Sequence, residues 1–235
     1  MRRAKTWVNR PVLMARKRNC AHRFADTLPG MRADIAPGAA LPDYELKDHT
    51  DTPRKLSLLQ GDDPMVLTLN RGVYCPKDRM QLLELALFSK QCAVGFTRLV
   101  TITTDNLLLS NDLRLGVGAD WTFLHDTERV VQKDLDIAEY TDPHNNPMIP
   151  HTFVLEPGLR IHKIYNGYWY WGRPAVAELY ADLRDVTRRI RPDWKIDTPE
   201  MREKWQRGDK KSFFPYGKSF RQVLVRMSNA VDQFE

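Results

Sequence analysis

The sequence predicts an α/β fold in which helices flank a mixed sheet, and three observations support it. Strand-like and helical segments alternate in the first part of the chain, as is typical of parallel strands joined by crossover helices. Residues 151–155 and 159–165 are strand-like runs joined by a Glu-Pro-Gly turn, which predicts an antiparallel hairpin. An amphipathic helix follows at about 173–191, with one apolar face made by Val176, Leu179, Leu183 and Val186.

A buried strand, a turn, a cysteine and a helix follow one another in the first half of the chain. Met65–Leu69 is a short apolar run typical of a buried strand, and Arg71-Gly72 forms a turn. Cys75 stands directly before Pro76, where helical spacing begins and continues to about residue 91. The predicted apolar face of this helix consists of Met80, Leu82, Leu83, Leu85 and Leu87.

Cys75 therefore lies at the N-terminal cap of a helix. Free backbone N–H groups and the helix dipole favour an anion there, so this layout predicts a redox-active thiolate. The alternative is that Cys75 is a small buried hydrophobic residue, as most isolated cysteines are. The local sequence leaves both interpretations open.

Short runs with strand or helix patterns account for the rest of the domain. In chain order they are an edge strand at 41–46, a buried strand at 98–104, a helix at 107–115, a short strand at 120–125 and a helical stretch at 128–135.

Length and composition are those of an ordinary globular protein. Its 235 residues, 42% of them hydrophobic, suffice for one domain with extensions. No run approaches the about 20 apolar residues of a membrane span or resembles a signal peptide, so we expect neither an integral membrane protein nor a secreted one. The cysteines Cys20, Cys75 and Cys92 are scattered, which indicates a reducing, cytoplasmic location.

The net charge of +6 is concentrated at the N-terminus. Residues 1–32 hold nine Lys or Arg and one acidic residue, so this segment carries +8 and the remainder −2. A basic arm of this kind suits an acidic or macromolecular partner, nucleic acid, a membrane surface or organelle targeting. It equally suits a solvated tail that lies along its own domain or a second subunit.

We divide the chain into a basic arm at 1–36, one domain at 37–191 and an extension at 192–235. Within the extension, Thr198-Pro199-Glu200 predicts a helix start and Gly208 its end. The extension also contains four aromatic residues, too many for a disordered tail, so we expect it to fold against the domain or a neighbouring subunit: Phe213, Phe214, Tyr216 and Phe220.

Two motifs resemble those of the peroxiredoxin-like redoxins, the alkyl hydroperoxide reductase and thiol-specific antioxidant group. The first is R-G-x-Y-C-P-x-x-R-x-Q-L at 71–82, and the second is I-P-x-T-F-V-L at 149–155. The resemblance covers about residues 37–190. It implies a thioredoxin-like mixed sheet flanked by helices, a homo-oligomer, a peroxide or disulfide substrate and an external thiol reductant.

The resemblance also implies the residues of the site. Cys75 would be the nucleophile, with Arg71 and Arg79 as catalytic cations and Tyr74 and Asp78 beside the substrate. In thioredoxin-like folds the proline before the last hairpin is usually cis and faces the cysteine. Pro150 matches it, so we expect Pro150, His151 and Thr152 to contact substrate.

The chain departs from the family at Asp78. Relatives commonly have C-P-x-C, and Asp78 replaces the second cysteine, so no local disulfide can form. True peroxiredoxins have P-x-x-x-T-x-x-C, in which the threonine and a distant arginine position the peroxide. Aligning Cys75 with that cysteine places Gly72 and Thr68 at the Thr and Pro positions; aligning Asp78 with it places Cys75 and Arg71 there.

These departures leave a mechanism with one cysteine as the first hypothesis. Cys92 lies 17 positions further along the same helix, about 25 Å away, beyond disulfide reach. Cys20 on the arm is a remote alternative partner. His151 is either a base near Cys75 or a histidine satisfied at a strand start. No His, Asp or Glu cluster has metal spacing, and we expect neither a metal nor another cofactor.

The rival hypothesis is a redox-inactive thioredoxin-fold subunit with a structural or scaffolding role in a larger assembly. The missing second cysteine, the basic arm and the aromatic extension suit this role. The aromatic run 165–171 fits a loop packed under the extension or in a dimer interface, or else a surface for bases, an apolar substrate or a partner.

Overall fold

The computed structural model describes residues 31–224, and these contain one seven-stranded mixed sheet in the order β2-β1-β5-β4-β3-β6-β7. The strands are β1 (Glu45–Asp48), β2 (Pro53–Lys55), β3 (Met65–Asn70), β4 (Arg98–Thr103), β5 (Thr122–His125), β6 (His151–Glu156) and β7 (Arg160–Asn166). The helices are α1 (Leu56–Gln60), α2 (Pro76–Val94), α3 (Leu107–Gly116), α4 (Val130–Asp134), α5 (Val176–Ile190) and α6 (Pro199–Gln206). The predicted fold class, a thioredoxin-like mixed sheet flanked by helices, is confirmed.

The central strand β3 is buried along its whole length. It pairs in parallel with β4 and antiparallel with β6, and helices cover both faces of the sheet around it. Successive side chains point to opposite faces, so Val66 contributes to the core beneath α2 and α5 while Leu67 and Leu69 contribute to the other core. Burial on both faces explains the continuous apolar run in the sequence.

The predicted apolar face of α2 is partly wrong. Leu82 and Leu85 are buried as expected, and Phe88 and Cys92 extend the same buried face. Met80, Leu83 and Leu87 are exposed instead. Apolar residues surround much of this helix, so the sequence alone did not define which stripe faces the sheet.

The first predicted strand is shifted and is not at the edge. Residues 45–48 form β1, which lies between β5 and the short strand β2. A hairpin within this segment adds the exposed three-residue β2 as the edge on that side of the sheet. The sequence pattern is too short to reveal this additional pairing.

The extension packs against the domain as far as it is described. Thr198 caps α6 and Met201 of that helix is buried, as the predicted helix start requires. Arg191 donates to the carbonyls of Ser212 and Phe214, and Lys218 pairs with the buried Asp63. Residues 1–30, which hold most of the predicted basic arm, lie outside the described residues. The division of the chain at residues 36 and 191 stays a prediction.

Candidate active site around Cys75

Cys75 is held where β3 gives way to α2. A turn after the strand brings the Cys75 backbone N–H to the carbonyl of Gly72, at 3.1 Å, and Cys75 is the N-terminal cap residue of α2. Only 4% of the residue is exposed. The sequence therefore placed the cysteine correctly at the start of the helix, close to its free N–H groups.

The turn before Cys75 depends on Gly72. Its φ of +127° favours glycine, and a Cβ there would lie 2.6 Å from a carboxylate oxygen of Asp105. That carboxylate accepts hydrogen bonds from the backbone N–H of Val73 at 2.7 Å and from the Thr103 hydroxyl at 2.9 Å. Asp105, at the end of β4, thus ties the cysteine turn to the neighbouring strand.

The sulfur of Cys75 lies beside a buried ion pair between Asp78 and Arg173. Arg173 Nε is 2.9 Å from Asp78 Oδ1, and Arg173 Nη2 bonds the same oxygen. Nη2 is also 3.7 Å from Cys75 Sγ. Asp78 has no exposed surface; burial raises the pKa of its carboxyl, and the charge of Arg173 opposes that rise.

Arg71 forms ion pairs with two carboxylates near Cys75. Its Nη2 is 3.0 Å from Glu139 Oε2 and 3.6 Å from Asp142 Oδ2. Its guanidinium also lies over the ring of Tyr74, 5.6 Å from the ring centre. Burial raises the pKa of the Tyr74 phenol, which shares a hydrogen bond with Asp142. Arg71 is thus a fixed cation in the wall of the site.

Cys75 opens into a cleft of about 390 Å³. The first residues of α2, the segment before β6 and the loop after β7 form its walls, and its lining residues include Arg71, Pro150, Arg173 and the aromatic residues Tyr168, Trp169 and Tyr170. Lys77 Nζ lies 3.4 Å from the ring centre of Tyr170. The lining of the cleft therefore consists largely of charged and aromatic residues.

The expectation for Pro150 is correct in place and wrong in geometry. Pro150 lines the same cleft as Cys75, but the described residues contain no cis peptide bond, so the Ile149–Pro150 bond is trans. The carbonyl of Pro150 accepts from Gly167 N at 2.8 Å, and the N–H of Ile149 donates to Ile137 at 2.7 Å. These hydrogen bonds accommodate the ordinarily preferred trans isomer.

His151 and Thr152 do not line the cleft. His151 is 2% exposed, its Nδ1 is 2.8 Å from the Ile149 carbonyl, and burial lowers its pKa to about 4. Thr152 Oγ1 accepts from Gln81 Nε2 at 2.9 Å beneath α2. Strand β6 turns these side chains into the two cores, because successive positions alternate between faces. Their expected contact with substrate is not seen in this geometry.

Arg79 also lies away from the sulfur. It is exposed, and its guanidinium lies beside Gly116 at the end of α3. Neighbouring helix positions point about 100° apart, so the inward position of Asp78 turns Arg79 outward. Its expected role as a cation beside Cys75 does not fit this placement.

Sequence reasoning missed Arg173. It lies 98 residues after Cys75, in the loop before α5, and it reaches the site through contacts with Asp78 and the carbonyl of Gly167, at 3.0 Å. The family motif includes a distant arginine, which was a signal for it. Only the folded sheet shows which arginine comes close.

No second cysteine reaches Cys75 within the described chain. Cys75 and Cys92 do not form a disulfide with each other, and Cys92 is buried near the far end of α2. Cys20 lies outside the described residues. Residues 31–224 hold no group of three His, Cys, Asp or Glu side chains arranged for a metal ion. Over the same range, no helix combines the length and apolarity required to cross a membrane.

Comparison with known proteins supports the fold. No protein-family model and no curated protein matches this sequence. Among solved structures, peroxidoxin BcpB from Mycobacterium tuberculosis is similar at 22% identity with a TM-score of 0.56, covering 64% of this chain and 95% of its own.

Two further solved structures show the same likeness. A yeast mitochondrial 1-Cys peroxiredoxin is 14% identical with a TM-score of 0.56 and covers 67% of this chain and 78% of its own. A mutant of peroxiredoxin 6 from Arenicola marina is 17% identical with a TM-score of 0.57, covering 70% and 78%. The resemblance to peroxiredoxin-like redoxins is therefore confirmed at the level of the thioredoxin-like fold.

Proposed function

We propose that this protein is a thiol oxidoreductase of peroxiredoxin-like type that acts through Cys75 alone. The observation that carries the proposal is the placement of the Cys75 sulfur at the start of α2, in an open-sided cleft and 3.7 Å from Arg173 Nη2. A helix N-terminus and a guanidinium both stabilise the negative charge of a thiolate. The peroxiredoxin fold of the solved relatives agrees with this chemistry.

The reaction begins with attack of the Cys75 thiolate on the terminal oxygen of a hydroperoxide. The S–O bond forms as the O–O bond breaks, and the leaving oxygen takes the electron pair and a proton to become an alcohol or water. The sulfur is thereby oxidised to sulfenic acid and the peroxide is reduced. With a disulfide substrate, the same attack gives a mixed disulfide and releases a thiolate.

An external thiol completes the cycle. One thiol condenses with the sulfenic acid to give a mixed disulfide and water, and a second thiol releases Cys75 and leaves as the disulfide. The described residues provide no resolving cysteine, which favours this route. In the yeast 1-Cys peroxiredoxin, glutathione and thioredoxin systems resolve the thiol. We assign a reductant of the same chemical class here, in a cytoplasmic setting.

The remaining cleft residues would position the substrate. Arg71 and Arg173 line the same cleft as Cys75, so their N–H groups can donate to the peroxide oxygens. Pro150 and Tyr168 form an apolar part of the cleft wall, and the ring of Tyr74 packs against the Arg71 guanidinium. In this proposal Arg173 takes the catalytic place that the sequence assigned to Arg79.

The test is thiol-dependent consumption of hydroperoxide by the full chain. We expect Cys75→Ser to abolish turnover, because a hydroxyl at that position is a far weaker nucleophile. Cys92→Ser is the matched control, since Cys92 is equally buried and distant from the cleft, and it should retain turnover. Turnover that survives in Cys75→Ser, with native circular dichroism, contradicts the proposal.

A second candidate is a redox-inactive subunit of a larger assembly. The observation that favours it is the exposed aromatic loop after β7, in which Trp171 is 95% exposed, together with Trp169 and Tyr170. Large exposed aromatic groups are typical of interfaces. The native mass of the full chain, with and without residues 1–36, tests for a homo-oligomer or an arm-dependent partner. An inert Cys75 combined with a stable assembly would favour this candidate.

A further inference from the structure

A carboxylate with no exposed surface lies close to the thiol of Cys75. Asp78 lies one helical turn after the cysteine, and Arg173 Nη2 contacts both the Asp78 carboxylate and, at 3.7 Å, the Cys75 sulfur. One carboxylate oxygen is held by Arg173, and the other accepts from the backbone N–H of Arg71 at 2.6 Å. Hydrogen bonds to both oxygens therefore hold the carboxylate in place near the sulfur.

The other charged and titratable groups that surround Cys75 are engaged elsewhere or carry no site for another proton. Arg71, Arg173 and Lys77 are cationic donors. Glu139 and Asp142 pair with Arg71, and the Tyr74 phenol bonds Asp142. On the neighbouring strands, Asp105 accepts from Val73 and Thr103, and His151 turns to the Ile149 carbonyl. Asp78 is the carboxylate that shares the Arg173 guanidinium with the thiol.

Proton transfer within this cluster leaves its net charge unchanged. Before transfer the charges lie on Asp78 and Arg173; afterwards they lie on the Cys75 sulfur and Arg173. Changing the net charge of a buried site is costly, whereas moving a proton between two groups beside the same cation is not. Arg173 contacts both the sulfur and the carboxylate, so it can stabilise whichever carries the negative charge.

We propose that Asp78 is a catalytic residue that takes the proton of the Cys75 thiol and returns it to the leaving oxygen. The proposal rests on the function proposed above. The proton moves from Sγ to the Asp78 carboxylate, and the sulfur then attacks the terminal peroxide oxygen. The O–O bond breaks with its electron pair on the leaving oxygen, which regains the proton from Asp78, directly or through water in the cleft. Sulfenic acid, alcohol and the carboxylate result, with no net proton released.

The raised pKa of the Asp78 carboxyl agrees with this role, because burial makes it a better proton acceptor than an exposed aspartate. In the sequence, Asp78 occupies the second cysteine position of C-P-x-C. The substitution would thus exchange a resolving thiol for a proton acceptor.

The first test is the pH dependence of Cys75 alkylation by iodoacetamide, followed by mass spectrometry of its peptide in Cys92→Ser protein. If two groups share one proton, the wild-type rate rises to an intermediate plateau and then rises again at higher pH. Asp78→Glu should keep the plateau, and Asp78→Asn should show one rise only. A single rise in the wild-type chain contradicts the proposal without reference to any variant.

The second test separates thiolate formation from proton return. In Asp78→Asn, loss of the neighbouring negative charge favours the thiolate, so alkylation at acid pH should be at least as fast as in wild type. Reduction of tert-butyl hydroperoxide, which has a basic leaving oxygen, should fall about 100-fold relative to alkylation.

The outcomes separate the two proposals. If Cys75→Ser is inactive but Asp78→Asn accelerates alkylation and peroxide reduction together, Asp78 only restrains the thiolate. The catalytic role of Asp78 then fails while the function of Cys75 stands. If Cys75→Ser remains active, the proposed function itself fails.

Discussion

Replacing Arg173 by methionine should destabilise the protein strongly, because it leaves the Asp78 carboxylate buried without its cation. Asp78 has no exposed side-chain surface and Arg173 only 11%. Removing one partner of a buried ion pair typically costs about 3–5 kcal/mol, and the Gly167 carbonyl also loses a 3.0 Å hydrogen bond. We therefore expect the free energy of unfolding to fall by about 4 kcal/mol near neutral pH.

The loss should depend on pH with a defined sign. The folded-state pKa of Asp78 lies above its ordinary value, so stability is lost as pH rises from about 4 through the raised value. Removing Arg173 raises the pKa of Asp78 further. The loss in free energy of unfolding caused by Arg173→Met should therefore be largest at neutral pH and smaller at about pH 4.5. The assay is urea unfolding followed by circular dichroism at both pH values.

Two variants control this experiment. Arg188→Met removes a pair in which both side chains are largely exposed, so its unfolding free energy should change by less than about 1 kcal/mol. The double variant Asp78→Asn, Arg173→Met removes both charges and should recover much of the loss. A deficit below about 1 kcal/mol for Arg173→Met would show that the buried ion pair adds little to stability, and an equal deficit at both pH values would show that ionisation of Asp78 does not cause it.

Two further perturbations test the surroundings of the cleft. His151→Asn should reduce the loss of stability on acidification. The folded-state pKa of His151 is about 4, against an ordinary value of 6.5. The neutral histidine therefore contributes about 3 kcal/mol to stability above pH 6.5, and this contribution is lost as pH falls towards 4. Urea unfolding across that range measures it, and equal pH dependence in both proteins would count against a buried neutral histidine. Gly72→Ala should lower the free energy of unfolding by about 1–3 kcal/mol, because the φ of Gly72 is +127° and the new Cβ would meet Asp105. Gly118→Ala is the control: a Cβ there has open space, so the loss should be about 1 kcal/mol. Thermal unfolding compares the two, and equal losses would show that the contact with Asp105 is unimportant.

The local elements of the fold were predictable because their signals lie within short windows. The strand–cysteine–helix unit at 65–94, the hairpin of β6 and β7, and the start of α6 follow from periodicity, proline placement and turn residues. The exposed stripe of α2 at Met80 and Leu87 was not predictable, since an apolar helix shows its buried side only once it packs.

The sequence predicted the position of Cys75 better than it predicted which other side chains surround it. Cys75 and Arg71 share one short segment and line the cleft, whereas Tyr74 and Asp78 of the same segment, which were expected beside the substrate, do not line it. Arg173 comes from a loop almost a hundred residues later, and only the order of strands brings it to the sulfur. Side-chain direction decided the remaining cases, because Arg79 on the helix and His151 on the strand turn away from the cleft.

Oxidation of Cys75 by peroxide can be measured as the mass of the Cys75 peptide after brief exposure of the native full chain to one equivalent of alkyl hydroperoxide, followed by trapping with dimedone. A sulfur at the start of α2 beside Arg173 should be oxidised first, so we expect a dimedone adduct on Cys75 and none on Cys92. An unmodified Cys75 in the native chain, with an adduct formed only after denaturation, would show that Cys75 is not a peroxide-reactive thiol in the folded protein.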